Sequence, residues 1–252
     1  MSLRSLGRSH SSCGRESAVE MTEKTRSLFN RADRGSGVAP CRATERFTEL
    51  PMAQAALEFA SIRHAGQYRE VDRAPFITHP TEVGELLQAD GQPDQVVAAG
   101  LLHDVLEKTA TTSAELRHRF GSRVTQLVET VSVDQAIGDH NAGKRAVRDR
   151  VAHADSDSVE IFAADKIAKV RELSLLPPRR LDEPDVREKL ANYRASLEML
   201  RQVASDAPLV ARLDVELNRL GAPAVVAARR PCPEPITRNG HSPSVSSGGS
   251  RG

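Results

Sequence analysis

The sequence predicts an all-α protein. Apolar residues recur at helical spacing between about residues 46 and 221, and no stretch keeps the strict alternation of a half-buried strand. Aromatic residues make up only 3% of the 252, and Trp is absent, so the core falls to Leu, Val, Ile and Ala. The breaks between apolar stretches carry helix punctuation. Thr112-Ser113-Ala114-Glu115 offers hydroxyl caps ahead of an acidic first turn, and Gly121 is placed to stop the helix that follows.

In chain order, helices are expected at 52–65, 81–89, 95–107, 113–120, 122–133, 144–154, 158–175, 184–205 and 207–220. The second opens directly after His79-Pro80, where Pro stiffens the entrance. The third contains Val96-Val97-Ala98-Ala99-Gly100-Leu101-Leu102-His103-Asp104-Val105-Leu106, apolar on most faces and therefore buried. The last two carry Leu190, Leu197, Leu200, Val203, Val210, Leu213 and Leu217 at helical spacing, to complete the core or to meet a second copy in a homodimer. Residues 1–45 are rich in Ser, Arg and Gly without apolar periodicity, and residues 222–252 are rich in Pro, Ser and Gly. Both read as disordered tails, with Met21 an alternative start.

Composition narrows the function. Thirty-five basic residues against 34 acidic ones give no reason to expect an obligatory nucleic-acid partner or an anionic membrane surface. No apolar run has the length of a membrane span, and the first residues lack a secretory apolar segment. Cys13, Cys41 and Cys232 have neither zinc spacing nor an even count, so a reducing cytoplasm is expected.

The chemistry centres on His103-Asp104. A carboxylate inside an apolar helix is costly without a partner. A cation supplies one, and adjacent helical residues, about 100° apart, suit neighbouring positions around an octahedral ion. His79, on the rigid helix entrance, and Asp165, in the apolar stretch Ile161-Phe162-Ala163-Ala164-Asp165, are the further candidate ligands. Two His and two Asp form a mixed nitrogen–oxygen set suited to Mn, Fe or Zn. Without a metal, the same residues read as a helix-end pair bonded to a loop, a helix cap and a buried ion pair. Glu107, one turn after His103, is the candidate to orient water and accept its proton.

The order His79 … His103-Asp104 … Asp165 is set among His64-Ala65-Gly66-Gln67-Tyr68-Arg69, Pro75-Phe76-Ile77-Thr78-His79-Pro80, Leu101-Leu102-His103-Asp104-Val105-Leu106-Glu107, Phe120-Gly121 and Ala164-Asp165-Lys166. With these stretches, roughly residues 47–176 resemble the HD-domain metal-dependent phosphohydrolases, and most closely the guanosine tetraphosphate hydrolase domain of the bifunctional synthetase/hydrolases and their small stand-alone relatives. The resemblance implies a helical bundle with a metal site between core helices, formed by His79, His103, Asp104 and Asp165. It further implies Mn²⁺ as the usual ion, Glu107 as the catalytic Glu, and Arg69 stacked on the base of a phosphorylated nucleotide. The reaction implied is removal of the 3′-diphosphate of guanosine tetra- or pentaphosphate. His64 is read as a packing or supporting residue, because the family's first ligand is the His before Pro. Lys166 is read as the anchor of a local salt bridge. His118, His140 and His153 are expected to face solvent.

The chain departs from the family at three positions. Lys108 stands where the motif continues with a second acid, Lys169 stands where relatives have Asn, and Glu70 stands where many have Lys. Lys108 and Lys169 are therefore candidate substrate contacts. They also raise an alternative, a weakly active or inactive regulatory module that binds metal and nucleotide.

Overall fold

The computed structural model describes residues 46–221. The two tails and all three cysteines lie outside the described residues. The fold is all-α. Ten helices are described: α1 Pro51–Arg63, α2 Thr78–Ala89, α3 Asp94–Leu102, α4 Val105–Lys108, α5 Ser113–Val131, α6 His140–Ala152, α7 Ser156–Ser174, α8 Pro178–Leu181, α9 Pro184–Val203 and α10 Pro208–Gly221. Among the described residues the extended pairing is one isolated bridge, Tyr68 to Pro75, which closes a hairpin between α1 and α2. No described helix is long and apolar enough to cross a membrane.

Two helices form the centre. α3 packs against α1, α2, α5 and α7, and α7 packs against α2, α3, α5, α6, α9 and α10. Their sequences explain this. Seven consecutive residues of α3, Val96 to Leu102, are buried, and α7 buries Val159, Ile161, Phe162, Ala163, Ala164, Ile167 and Ala168 together with Asp165. A helix apolar on nearly every side has no solvent face and is enclosed by others. Small residues let α2 approach α3. A Cβ on Gly100 would lie 2.3 Å from Leu87 Cδ1, and one on Gly84 would lie 2.7 Å from Leu101 Cδ2.

Helix ends are set by caps, several of which shift the expected boundaries. Asp139 accepts from the Ala142 N–H at 2.5 Å and starts α6 at His140 rather than near Lys144. Asp155 accepts from the Ser158 N–H at 3.0 Å and starts α7 at Ser156. Thr112 caps α5 through the Glu115 N–H. Gly121, at φ 82°, interrupts α5 where a stop was expected. The N-terminus of α1 has no cap of its own. Asp94, from the first turn of α3, accepts from the Met52 and Ala53 N–H groups at 3.0 and 2.8 Å, which satisfies donors that the helix leaves open. At the other end of the chain Leu190, Leu197, Leu200, Val210, Leu213 and Leu217 are buried as expected, but Val203, at the end of α9, is exposed.

Candidate metal centre

The expected helix over 95–107 is two helices. α3 stops at Leu102, α4 starts at Val105, and His103-Asp104 forms the turn between them. His103 explains the break. Its Nδ1 lies 2.8 Å from the Gly100 carbonyl, an acceptor that a continuing helix would give to the Asp104 N–H. The same bond fixes the ring: Nδ1 carries a proton and donates, and Nε2 is directed inward, able to ligate an ion once it gives up its own proton. Ser132 Oγ donates to the His103 carbonyl at 3.2 Å and ties the turn to the end of α5. His79 lies in the first turn of α2, which begins at Thr78, earlier than expected.

The four expected ligand residues meet. His79 Nε2 is 3.2 Å from His103 Nε2 and 3.2 Å from Asp165 Oδ1, and His103 Nε2 is 3.4 Å from Asp165 Oδ1. Asp104 Oδ2 is 3.7 Å from His79 Nε2 and 3.4 Å from His103 Nε2. All four residues are buried. His79, His103 and Asp165 by themselves present ligand atoms within 4.8 Å of one another. Asp104 Oδ2 accepts no hydrogen bond although it is buried, which is costly for a carboxylate, and Asp165 Oδ1 is met by the Lys169 ammonium at 2.9 Å. Converging imidazole nitrogens and carboxylate oxygens, one of them orphaned, fit a divalent cation, with nitrogen and oxygen donors of the borderline-to-hard kind.

Electrostatics tell the same story. Burial opposes charge on His103, but Asp104 and Asp165 outweigh it and push the imidazole up to about 10. Burial takes His79 the other way, to about 4, with Asp165 opposing and the His103 charge assisting. Burial also resists ionisation of the two aspartates. The His103 charge holds Asp104 well below its usual range, and Lys166 and Lys169 do the same for Asp165. The cluster demands positive charge, which a divalent ion delivers.

The centre lies at the wall of a cleft of about 700 Å³. Glu107 also lines this cleft, and its Oε1 accepts from the Val133 N–H at 2.6 Å. Lys108 lies on the same wall, its Nζ 5.2 Å from the centre of the Phe76 ring. Lys169 Nζ is 2.9 Å from Asp165 Oδ1, and Lys166 Nζ is 2.6 Å from Asp165 Oδ2. Arg69 also lines the cleft, but its guanidinium grips Asp72 in a two-pronged pair, with Nε donating at 3.0 Å. Glu70 is exposed and pairs with Lys189 at 3.1 Å. His64 is buried against Phe76, with Nδ1 2.9 Å from Gln67 Oε1. His118, His140 and His153 are exposed. Sequence reasoning passed over Tyr193 of α9 and Lys144 of α6, which share the cleft. Their only signal was a polar residue near an otherwise apolar helix face.

The profile of the HD domain family matches residues 56–183, half of the chain. The chain belongs to the HD-domain family. Its HD domain is 32% identical over 136 residues to the guanosine-3′,5′-bis(diphosphate) 3′-pyrophosphohydrolase of Xenopus tropicalis, covering 53% of this chain and 75% of the relative. The human protein of the same name is 34% identical over 136 residues, with the same coverage. A solved structure described as a metazoan ortholog of SpoT that hydrolyses ppGpp superposes with a TM-score of 0.59 at 23% identity, covering 73% of this chain and 99% of that one. This last likeness concerns the HD fold. In that fold, the four candidate ligands come from the start of α2, the α3–α4 turn and the middle of α7.

Proposed function

We propose that the protein is a metal-dependent phosphohydrolase that removes the 3′-diphosphate of guanosine tetra- or pentaphosphate, or hydrolyses a related phosphorylated nucleotide. The observation that carries this reading is the buried convergence of His79, His103, Asp104 and Asp165 at a cleft that also holds Glu107 and several lysines. The relatives named for this activity, at 32% and 34% identity across three-quarters of their length, support the substrate class.

In this reading His79, His103, Asp104 and Asp165 hold a divalent ion, Mn²⁺ by analogy with the family. Such an ion supplies Lewis acidity to a phosphoryl oxygen and lowers the pKa of water towards neutrality. The chain does the rest. Glu107, anchored by the Val133 N–H through one carboxylate oxygen, uses the other to orient water and take its proton. The water oxygen bonds to the phosphorus next to the ribose, the bond from that phosphorus to the 3′ oxygen breaks, and pyrophosphate leaves as the ribose regains its hydroxyl. Lys108 and Lys169 meet the phosphates as point charges, Lys169 from its place beside Asp165. Arg69 takes the base on its planar face, and its hold on Asp72 keeps that plane in one orientation.

The test is pyrophosphate release from guanosine tetraphosphate with added Mn²⁺. Glu107→Gln is expected to lose about 10²–10⁴-fold in kcat and to keep its metal-induced rise in Tm, since the amide oxygen still accepts from Val133. Asp165→Asn is expected to lose both. A wild type that gains stability from Mn²⁺ yet releases nothing rejects the hydrolase reading in favour of a regulatory module. The observation that favours that second reading is the pairing of Lys166 and Lys169 with a ligand carboxylate.

A further inference from the structure

Seven cationic side chains and five anionic ones line the cleft. Most of the cations are committed. Lys166 and Lys169 pair with Asp165, Lys189 with Glu70, and Arg69 with Asp72, while Lys108 faces the Phe76 ring. Lys144 and Arg148 are different. They sit one turn apart on α6, therefore on one face, and both line the cleft half-buried. Among the described residues neither has an ion pair or hydrogen bond through its side chain. Burial pushes the Lys144 ammonium down, and although Glu188 opposes this, Lys166, Lys169 and Lys189 reinforce it. Arg148 is likewise lowered by burial. Glu188 and Asp149 act on these two cations from a distance, but without a direct ion pair their partial desolvation is costly, and an anion offsets that cost through charge-assisted hydrogen bonds.

The placement of α6 says which anion. α6 contributes no candidate ligand to the metal centre, and it reaches the cleft as a separate wall. It rides close on the segment after α5, where a Cβ on Gly143 would lie 2.7 Å from Val133 Cγ1. Val147 and Val151 anchor it in the core, which holds the Lys144–Arg148 face towards the cleft. A group gripped there meets a wall of the cleft that carries none of His79, His103, Asp104 and Asp165.

We infer that Lys144 and Arg148 form a second anion subsite, which holds a phosphate group of the substrate other than the one attacked at the metal centre. The substrates selected are nucleotides with two separated phosphate groups, such as a 3′,5′-bis(diphosphate). This inference rests on the phosphohydrolase reading for its substrate class, but the subsite is a binding property and is testable without turnover.

The experiment compares the full-length, Mn²⁺-loaded wild type with Lys144→Ala/Arg148→Ala and with the charge-preserving Lys144→Arg/Arg148→Lys. Calorimetry with guanosine 5′-diphosphate as probe is expected to give at least a tenfold weaker Kd for the alanine pair, about 1.4 kcal/mol, with near wild-type binding by the charge-preserving pair. In turnover, the alanine pair is expected to raise KM for guanosine tetraphosphate by about the same factor with kcat held. KM for guanosine 3′-diphosphate, which lacks the 5′ group, is expected to stay unchanged. Equal affinity of wild type and alanine pair for guanosine 5′-diphosphate overturns the subsite, as does no binding by the wild type. So does a KM rise that is the same for both substrates. Absence of turnover with the differential in binding intact overturns the hydrolase reading alone. An unchanged Tm of the alanine pair in Mn²⁺ confirms that fold and metal centre survive.

Discussion

Lys169 competes for an oxygen that a cation at the centre would use. Its ammonium lies 2.9 Å from Asp165 Oδ1, the same atom that faces both imidazole Nε2 atoms. Ion binding must displace that contact or tolerate a like charge beside it. Lys169→Asn is therefore expected to tighten Mn²⁺ binding by about tenfold, or 1.4 kcal/mol, as measured by calorimetry. Equal affinities would show that the ammonium swings aside without cost. The ligand residues were legible in the sequence because polar groups in apolar stretches are expensive, and His103, Asp104 and Asp165 each sit in one. Their neighbours were less so. The Glu107 anchor at Val133 and the Arg69 grip on Asp72 depend on where a loop and a hairpin return, which no periodicity encodes.

At the scale of elements, the centre depends on how closely α2 and α3 approach. α2 carries His79, α3 delivers His103 and Asp104, and Gly84 and Gly100 line the seam between them. In Gly100→Ala the new methyl would meet Leu87 Cδ1 at 2.3 Å and Val83 Cγ1 at 3.3 Å, forcing the helices apart. The expected cost is about 1–3 kcal/mol, read as a lower Tm, with weakened Mn²⁺ binding because His79 moves with α2. Gly138→Ala, with open space around its Cβ, is the neutral control. A Gly100→Ala protein with wild-type Tm and metal affinity would show that Leu87 repacks freely. The buried character of α3 was readable from its composition, but its end was not. The expectation ran the helix through to residue 107, because the sequence does not reveal that His103 turns back to take the Gly100 carbonyl. Nor does it reveal that Asp94 caps a helix some forty positions upstream.

The molecule as a whole carries a third buried carboxyl, outside the candidate ligand set. Glu160 of α7 is buried with Oε2 lacking a partner, and burial together with Asp90 pushes it up to about 7. A carboxyl raised in the folded state favours folding while protonated. That contribution is whole below its unfolded pKa near 4.5 and is lost as pH rises through about 7. Glu160→Gln, which mimics the protonated form, is expected to leave Tm unchanged at about pH 4.5 and to raise it above wild type by roughly 2–4 °C near pH 8.5, on the scale of about 1 kcal/mol for a domain of this size. A difference independent of pH would mean that Glu160 finds a partner once charged. The all-α class and the order of the motifs were legible at this scale because they rest on periodicity and spacing. The walls of the cleft were not, since α6, α7 and α9 bring Lys144, Lys169 and Tyr193 together only after folding. That convergence gives the protein an optical property. The chain has no Trp and two Tyr, Tyr68 on the hairpin and Tyr193 on α9, and both line the cleft. Its ultraviolet emission therefore originates at the cleft, so a nucleobase settling there reports its own arrival as quenching, with no label attached.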